Sequence, residues 1–376
     1  MDEARKALKE KKRIVVKVGS STLTYATGKL NYHRLERLAR EISDLANQGK
    51  EMILVSSGAV SAGMGPLGLT ARPRTIREKQ AVAAVGQGVL MHMYETMFRE
   101  YGQTVGQVLL TRMDAQERSK FMNSRNTLLT MIAMGVIPII NENDVVAIDE
   151  FKIGDNDTLS AMVSTIIDAD LLIILSDVDG LYTANPQTHA EARIIPVVET
   201  IDRHCYDIAG GAGTERGTGG MYTKIQAAAL ATSAHIDMVI ASGEEDGVLR
   251  RICCGESVGT LFKAKDAALH SKKRWLLSGS KAAGTITVDQ GCREAIVSHG
   301  SSLLPVGITA VKGAFHEGDI VSLVYDGIVI AKGIVNYDAA DIQAISGHKS
   351  EEIRVILGHD GAYEEVIHRD NLVVMQ

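Results

Sequence analysis

Over the first two thirds of the chain, short runs of β-branched and aliphatic residues alternate with longer stretches of helical period. Ile14–Val18 predicts a strand that stops at Gly19-Ser20-Ser21. Leu35, Leu38, Ile42 and Leu45 then recur every three or four residues with charges between them, which predicts an amphipathic helix. Met52–Ser56 predicts the next strand, ending at Ser57-Gly58, and strand-like runs follow at Val105–Leu110, Val136–Asn141, Leu171–Ser176 and Met238–Ala241. Strands that alternate with helices form a mostly parallel α/β sheet sandwiched between helices. Ligands bind such sheets at the carboxyl ends of the strands. Those ends read Gly-Ser-Ser, Ser-Ser-Gly, Asn-Glu-Asn-Asp and Ser-Asp-Val-Asp here, all small and polar.

From Gly284 the texture changes. Thr285–Val288, Ile320–Tyr325 and Ile328–Ala331 predict short strands broken by Gly-Asp and Asp-Gly turn signals. A small β-rich domain follows, a partly open barrel. Residues 281–376 carry 7 Lys and Arg against 13 Asp and Glu, whereas the rest of the chain is neutral. A basic, polar stretch with Lys263, Lys272, Lys273 and Arg274 lies between the two textures. The expected division is a first domain over 1–262, a linker over 263–280 and a second domain over 281–376.

Composition narrows the class. The 376 residues are 45% hydrophobic and 23% charged, too apolar for disorder, and the formal charge of −6 gives no general attraction to nucleic acid or anionic membranes. No apolar run approaches the ~20 residues of a membrane span. The charged start of the chain has no apolar segment or cleavage site of a secretory signal, so a cytoplasmic protein is expected. Cys205, Cys253, Cys254 and Cys292 show no C-x-x-C spacing, which argues against a disulfide framework or a zinc ribbon. Walker A, H-E-x-x-H, G-x-S-x-G and H-R-D patterns are all absent.

Lys17 sits in an apolar strand just before Gly19-Ser20-Ser21. Backbone N–H groups and hydroxyls beside a cation suit a phosphate oxyanion; the alternative is a lysine that reaches solvent at a strand end. Thr218-Gly-Gly-Met-Tyr-Thr-Lys224 opens a helix running through Ile225, Ala228 and Ala231, and backbone donors at a helix start bind phosphate. Lys224 in the first turn opposes the helix dipole, so it is unfavourable as a purely structural choice, although a surface lysine remains the alternative. Asp155-Asn156-Asp157 precedes a helix carrying Leu159, Met162, Val163 and Ile166; an N-cap accounts for one of the three residues only. Asn141-Glu-Asn-Asp144 and Ser176-Asp177 also follow strands, where plain turns are the alternative. Both lysines are expected at a solvated sheet edge.

Six ordered motifs together resemble the amino-acid kinase family, and within it the members that phosphorylate the side chain of glutamate. They are Val15-Val-Lys-Val-Gly-Ser-Ser21, Val55-Ser-Ser-Gly-Ala59, Asn141-Glu-Asn-Asp144, Gly154-Asp-Asn-Asp157, Ser176-Asp-Val-Asp-Gly-Leu-Tyr182, and Gly217-Thr-Gly-Gly-Met221 with Lys224. The tail, from Gly284-Thr-Ile-Thr-Val-Asp289 through Gly300–Gly307 to His368-Arg-Asp370, resembles a PUA domain. Ser21, Ser56 and Ser176 stand where the family often has Thr, swaps that retain the hydroxyl.

The resemblance implies ATP-dependent phosphorylation of the glutamate side-chain carboxylate, as in the first step of proline synthesis. It implies that Lys17 and Lys224 flank the transferring phosphoryl group, with Asp157 orienting them. Ser57, Asp144 and Asn156 would hold glutamate. Lys17, Gly19, Ser20, Ser176, Asp177 and the run Thr218, Gly219, Gly220, Met221, Tyr222, Thr223 and Lys224 would hold ATP, with Mg²⁺ carried by the nucleotide and no protein metal site. A carboxylate is already ionised at neutral pH, so no general base is required, and positioning and electrostatics carry the catalysis. The resemblance further implies proline as feedback inhibitor, glutamate-5-semialdehyde dehydrogenase as acceptor of a labile product, and a homodimer or homotetramer. Acetylglutamate kinase and aspartokinase types share the lysines and are the enzymatic alternatives. PUA-mediated RNA binding is the other; the acidic, aromatic-poor tail speaks against it.

Overall fold

The computed structural model describes residues 3–25, 29–111, 114, 118–147, 156–186, 188–189, 191–210, 220–264, 282–358 and 363–375. Gly154, Asp155, Thr218, Gly219 and nearly all of the expected linker lie outside the described residues. The chain divides into two compact units, Met1–Asp266 and Ala267–Gln376.

The first unit is built on an eight-stranded sheet. Its strands are β1 (Arg13–Val18), β2 (Glu51–Val55), β3 (Thr104–Leu110), β4 (Val136–Glu142), β5 (Leu171–Ser176), β6 (Val197–Val198), β7 (Asp237–Ser242) and β8 (Thr260–Phe262). The order is β3-β4-β2-β1-β5-β7-β8-β6, and every neighbouring pair is parallel except β7 and β8. β6 and β8 went unseen in the sequence because two or three residues are too few to show a period. The helices that bear on the site are α1 (Ser20–Leu23), α2 (Tyr32–Asn47), α3 (Ala59–Met64), α4 (Ile76–Glu100), α5 (Arg118–Ala133), α6 (Asn156–Ile166), α7 (Met221–Ser233) and α8 (Val248–Cys253).

Side-chain alternation sorts the central strands between two cores. Ile14, Val16 and Val18 of β1 and Leu171, Ile173 and Leu175 of β5 join the core of α2 and α4. Val15, Leu172 and Ile174 join the opposite core, where α6 and α7 contribute Leu159, Val163, Ile225 and Ala228. Burial on both faces is why these strands read as unbroken hydrophobic runs. The same alternation carries Lys17 to the α6–α7 face, two residues on from Val15. From β1 the chain proceeds to β2 and its neighbours on one side and, from β5 onward, to the other, so the carboxyl end of β1 is a topological switch point.

Two glycines set the packing beside this edge. A Cβ on Gly86 of α4 would lie 1.7 Å from the Ala59 carbonyl oxygen, and one on Gly63 of α3 would lie 2.1 Å from that of Val82. The helices therefore touch backbone to backbone. Thr75 and Glu78 start α4 with a reciprocal capping box, at 3.2 Å and 3.0 Å.

The second unit has a five-stranded sheet of β9 (Gly284–Val288), β10 (Ile308–Lys312), β11 (Ile320–Tyr325), β12 (Ile328–Ile334) and β13 (Leu372–Val374), in the order β10-β9-β11-β12-β13. Asp326 and Gly327 join β11 to β12 with φ of 49° and 76°. Two positive φ values make the turn whose twist matches an antiparallel hairpin. Ile286, Leu323, Ala331 and Val366 form this unit's own core with Ile296 and Ile342.

Candidate active site

Asp157, in the first turn of α6, is fully buried. Its Oδ1 lies 2.5 Å from Lys17 Nζ and its Oδ2 lies 3.1 Å from Lys224 Nζ. Thr223 Oγ1 donates to the same Oδ2 at 3.1 Å, and to the Gly220 carbonyl at 2.8 Å. One carboxylate thus bridges a lysine from the central strand and a lysine from the first turns of α7. Both lysines are only 4% exposed, which corrects the expectation of a solvated edge. The reason is the alternation described above: Lys17 points into the layer under α6 and α7, not along the rim. Burying three charges together is costly unless each is paired and hydrogen-bonded, so such a cluster marks a site where charge is used.

A second polar chain lies beside the first. Asn156, the neighbour of Asp157, donates through Nδ2 to the Ser56 carbonyl at 2.5 Å, to Ser57 Oγ at 2.8 Å and to Asn141 Oδ1 at 2.9 Å. Asn141, at the end of β4, also accepts from the Glu142 N–H at 2.9 Å and donates to Gln87 Oε1 of α4 at 2.8 Å. Ser56 Oγ shares a hydrogen bond with Tyr94 OH at 2.8 Å. Burial pushes the Tyr94 phenol above its ordinary pKa, which keeps it a neutral partner. A cleft of about 270 Å³ adjoins this chain, lined in part by Ala59, Gln87, Gln107, Glu142 and Asp144.

The remaining predicted residues surround these two chains. Gly19 precedes α1, and a Cβ there would sit 3.8 Å from Lys17 Nζ, so the turn passes close over the ammonium group. Gly58 takes φ of 97° between β2 and α3, and a Cβ there would lie 3.9 Å from Ser20, so the two strand-end loops run close together. Ser176 ends β5 and donates to Asp177 Oδ1 at 2.9 Å, with Asp177 itself exposed. Gly220 is exposed before α7, and Tyr222 packs its ring 5.7 Å from that of Tyr206. Asn141, Gln87, Tyr94 and Ser56 went unassigned in the sequence. Asn141 lies inside a motif that points to it; Gln87 and Tyr94 carry no local signal.

A mostly parallel sheet with helices on both faces, a carboxylate between two lysines at its switch point and a polar cleft beside it suit phosphoryl transfer. Residues 12–242 match the model of the amino acid kinase family, and residues 284–357 match the PUA domain. The chain belongs to the amino acid kinase family. It is 53% identical to the glutamate 5-kinase of Moorella thermoacetica, an alignment covering 99% of each chain. Glutamate 5-kinases of Carboxydothermus hydrogenoformans (52% identity, 99% of this chain and 100% of that one) and Caldanaerobacter subterraneus (50%, 97% and 98%) are similarly close.

Proposed function

We propose that the chain transfers the γ-phosphoryl group of ATP to the side-chain carboxylate of L-glutamate, the chemistry named for its full-length relatives. The observation that carries the reading is Asp157 holding Lys17 and Lys224 in one buried cluster beside the Asn156–Ser57 cradle. The acceptor carboxylate and the γ-phosphate are both anions, so the barrier is their approach and the charge spread over the phosphoryl oxygens in flight. The two ammonium groups meet that charge from fixed positions, and Asp157 holds them together and aimed against their mutual repulsion. Ser57, Asn156 and Asp144 hold glutamate, with Asp144 suited to its ammonium group. Gly19, Ser20, Ser176, Asp177 and the start of α7 hold the nucleotide, where α7 supplies backbone donors for phosphate.

Mg²⁺ fits this arrangement as a passenger on the phosphates, since the central carboxylate is engaged by two ammonium groups; bound there, it offsets phosphate charge. An acyl phosphate product is labile in water and calls for a reductase that takes it over. Proline, a mimic of the amino-acid end of glutamate, fits feedback control, and the same reading includes a homo-oligomer acting in the cytoplasm. The test is hydroxamate formation from glutamate, ATP, Mg²⁺ and hydroxylamine, with N-acetylglutamate and aspartate in parallel. Hydroxamate from glutamate alone is expected; preference for another acceptor would overturn the assignment.

A further inference from the structure

Three residues of α4 face the strand ends at seven-residue intervals, which is close to two helical turns and places them on one stripe. Gln80 Nε2 donates to the Ala147 carbonyl at 3.2 Å, Gln87 Oε1 accepts from Asn141 Nδ2 at 2.8 Å, and Tyr94 OH meets Ser56 Oγ at 2.8 Å. Their partners are the segment after β4, the end of β4 and the end of β2, which together shape the acceptor side of the site. We propose that Gln87 is a positioning residue for the acceptor, acting through Asn141 on Asn156 and Ser57. The proposal rests on the assignment of Asn156 and Ser57 to glutamate.

The amide bookkeeping supports it. Asn141 is 3% exposed and its Oδ1 already accepts twice, from Asn156 and from the Glu142 backbone. Its Nδ2 must then find an acceptor on the other side, and Gln87 Oε1 is that acceptor. With Gln87 absent, Asn141 either leaves a buried donor unsatisfied or swings toward water in the cleft that Gln87 lines. Swinging withdraws Oδ1 from Asn156, whose amide then loses the contact that holds it against Ser57. Gln87 is itself fixed along the sheet edge, because the preceding Gly86 locks α4 against α3. A helix free to slide would not hold one amide to a fixed partner.

The experiment is steady-state kinetics on full-length Gln87→Met, Asn141→Ala, Asn156→Ala and the double variant Gln87→Met/Asn141→Ala, varying glutamate and ATP separately. Gln87→Met is expected to raise KM for glutamate about tenfold, equivalent to about 1.4 kcal/mol, with KM for ATP within twofold of the parent. In the Asn141→Ala background the same change should add less than twofold, because the path through Asn141 is already cut. If Asn141→Ala raises KM for glutamate and Gln87→Met does not, the positioning role is wrong while the acceptor assignment stands. Full tenfold effects in both backgrounds would also overturn it, since Gln87 would then act without Asn141. If Asn141→Ala and Asn156→Ala both spare glutamate, the acceptor assignment itself fails and this inference falls with it. Should Gln87→Met not fold, Gln87→Ala carries the same expectations, because residue 87 is only half-buried.

Discussion

Asp157→Asn removes a charge that two buried lysines share and leaves the side-chain shape intact. At an effective dielectric near 20, each ion pair at close contact is worth about 4 kcal/mol. Both ammonium groups reach the same carboxylate, at 2.5 Å and 3.1 Å, so they lie within about 8 Å of each other. Unscreened by the carboxylate, they repel by about 2 kcal/mol. Water entering from the sheet edge relaxes part of this, and the net loss for breaking a buried pair is about 3–5 kcal/mol. For a chain of this size that is a fall in Tm of roughly 5 °C. The phosphates of a bound nucleotide replace the missing anion, so a non-hydrolysable ATP analogue should raise Tm more in the variant than in the parent. Turnover should fall by about 10²-fold or more, because the lysines no longer hold their aim. Adding Lys17→Met to Asp157→Asn should recover stability but not activity. The assays are thermal melts with and without analogue, and ADP release coupled to oxidation of NADH. A variant that melts within two degrees of the parent and turns over within twofold would refute the role given to this carboxylate.

Gly86→Ala would gain about 1 kcal/mol of helix propensity in an open helix, yet here its Cβ meets the Ala59 oxygen at 1.7 Å and the Gly63 nitrogen at 2.4 Å. A net loss of roughly 1–3 kcal/mol in urea melts is expected; stabilisation would show that α3 and α4 part freely. Burial pushes the Cys253 thiol up to about 12 while Cys254 is exposed, so at pH 8 a disulfide reagent should label Cys254 fast and Cys253 only on unfolding. A fast phase that survives in Cys254→Ser would contradict this. All described site residues lie in the unit Met1–Asp266, which has its own cores. That unit made alone should fold and yield hydroxamate from glutamate; a folded but inactive product would show that the second unit takes part in the chemistry.

Local pattern determined much of this protein. The nearly unbroken aliphatic runs at Ile14–Val18 and Leu171–Ser176 predicted the central strands, because burial on both faces removes polar positions, and the period near 3.6 from Leu35 to Leu45 predicted α2, because burial of one face leaves a repeat in the chain. The polar strand ends and the lysines were legible for the same reason: a charge inside an apolar run stands out against its neighbours. What the chain alone left open was whether Lys17 reached solvent or was enclosed. That depended on which helices cover the α6–α7 face, and α6 and α7 begin 139 and 204 residues further on. The approach of Lys17 to Lys224 through Asp157, and the grip of Gln87 and Tyr94 on strand ends far from them in sequence, came only from the tertiary structure. Hydrogen bonds between side chains on different elements impose no period on either one. The glycines of α3 and α4 make the same point, since Gly86 reads as a weak spot in a helix until the backbone of Ala59 is found where a side chain would have been.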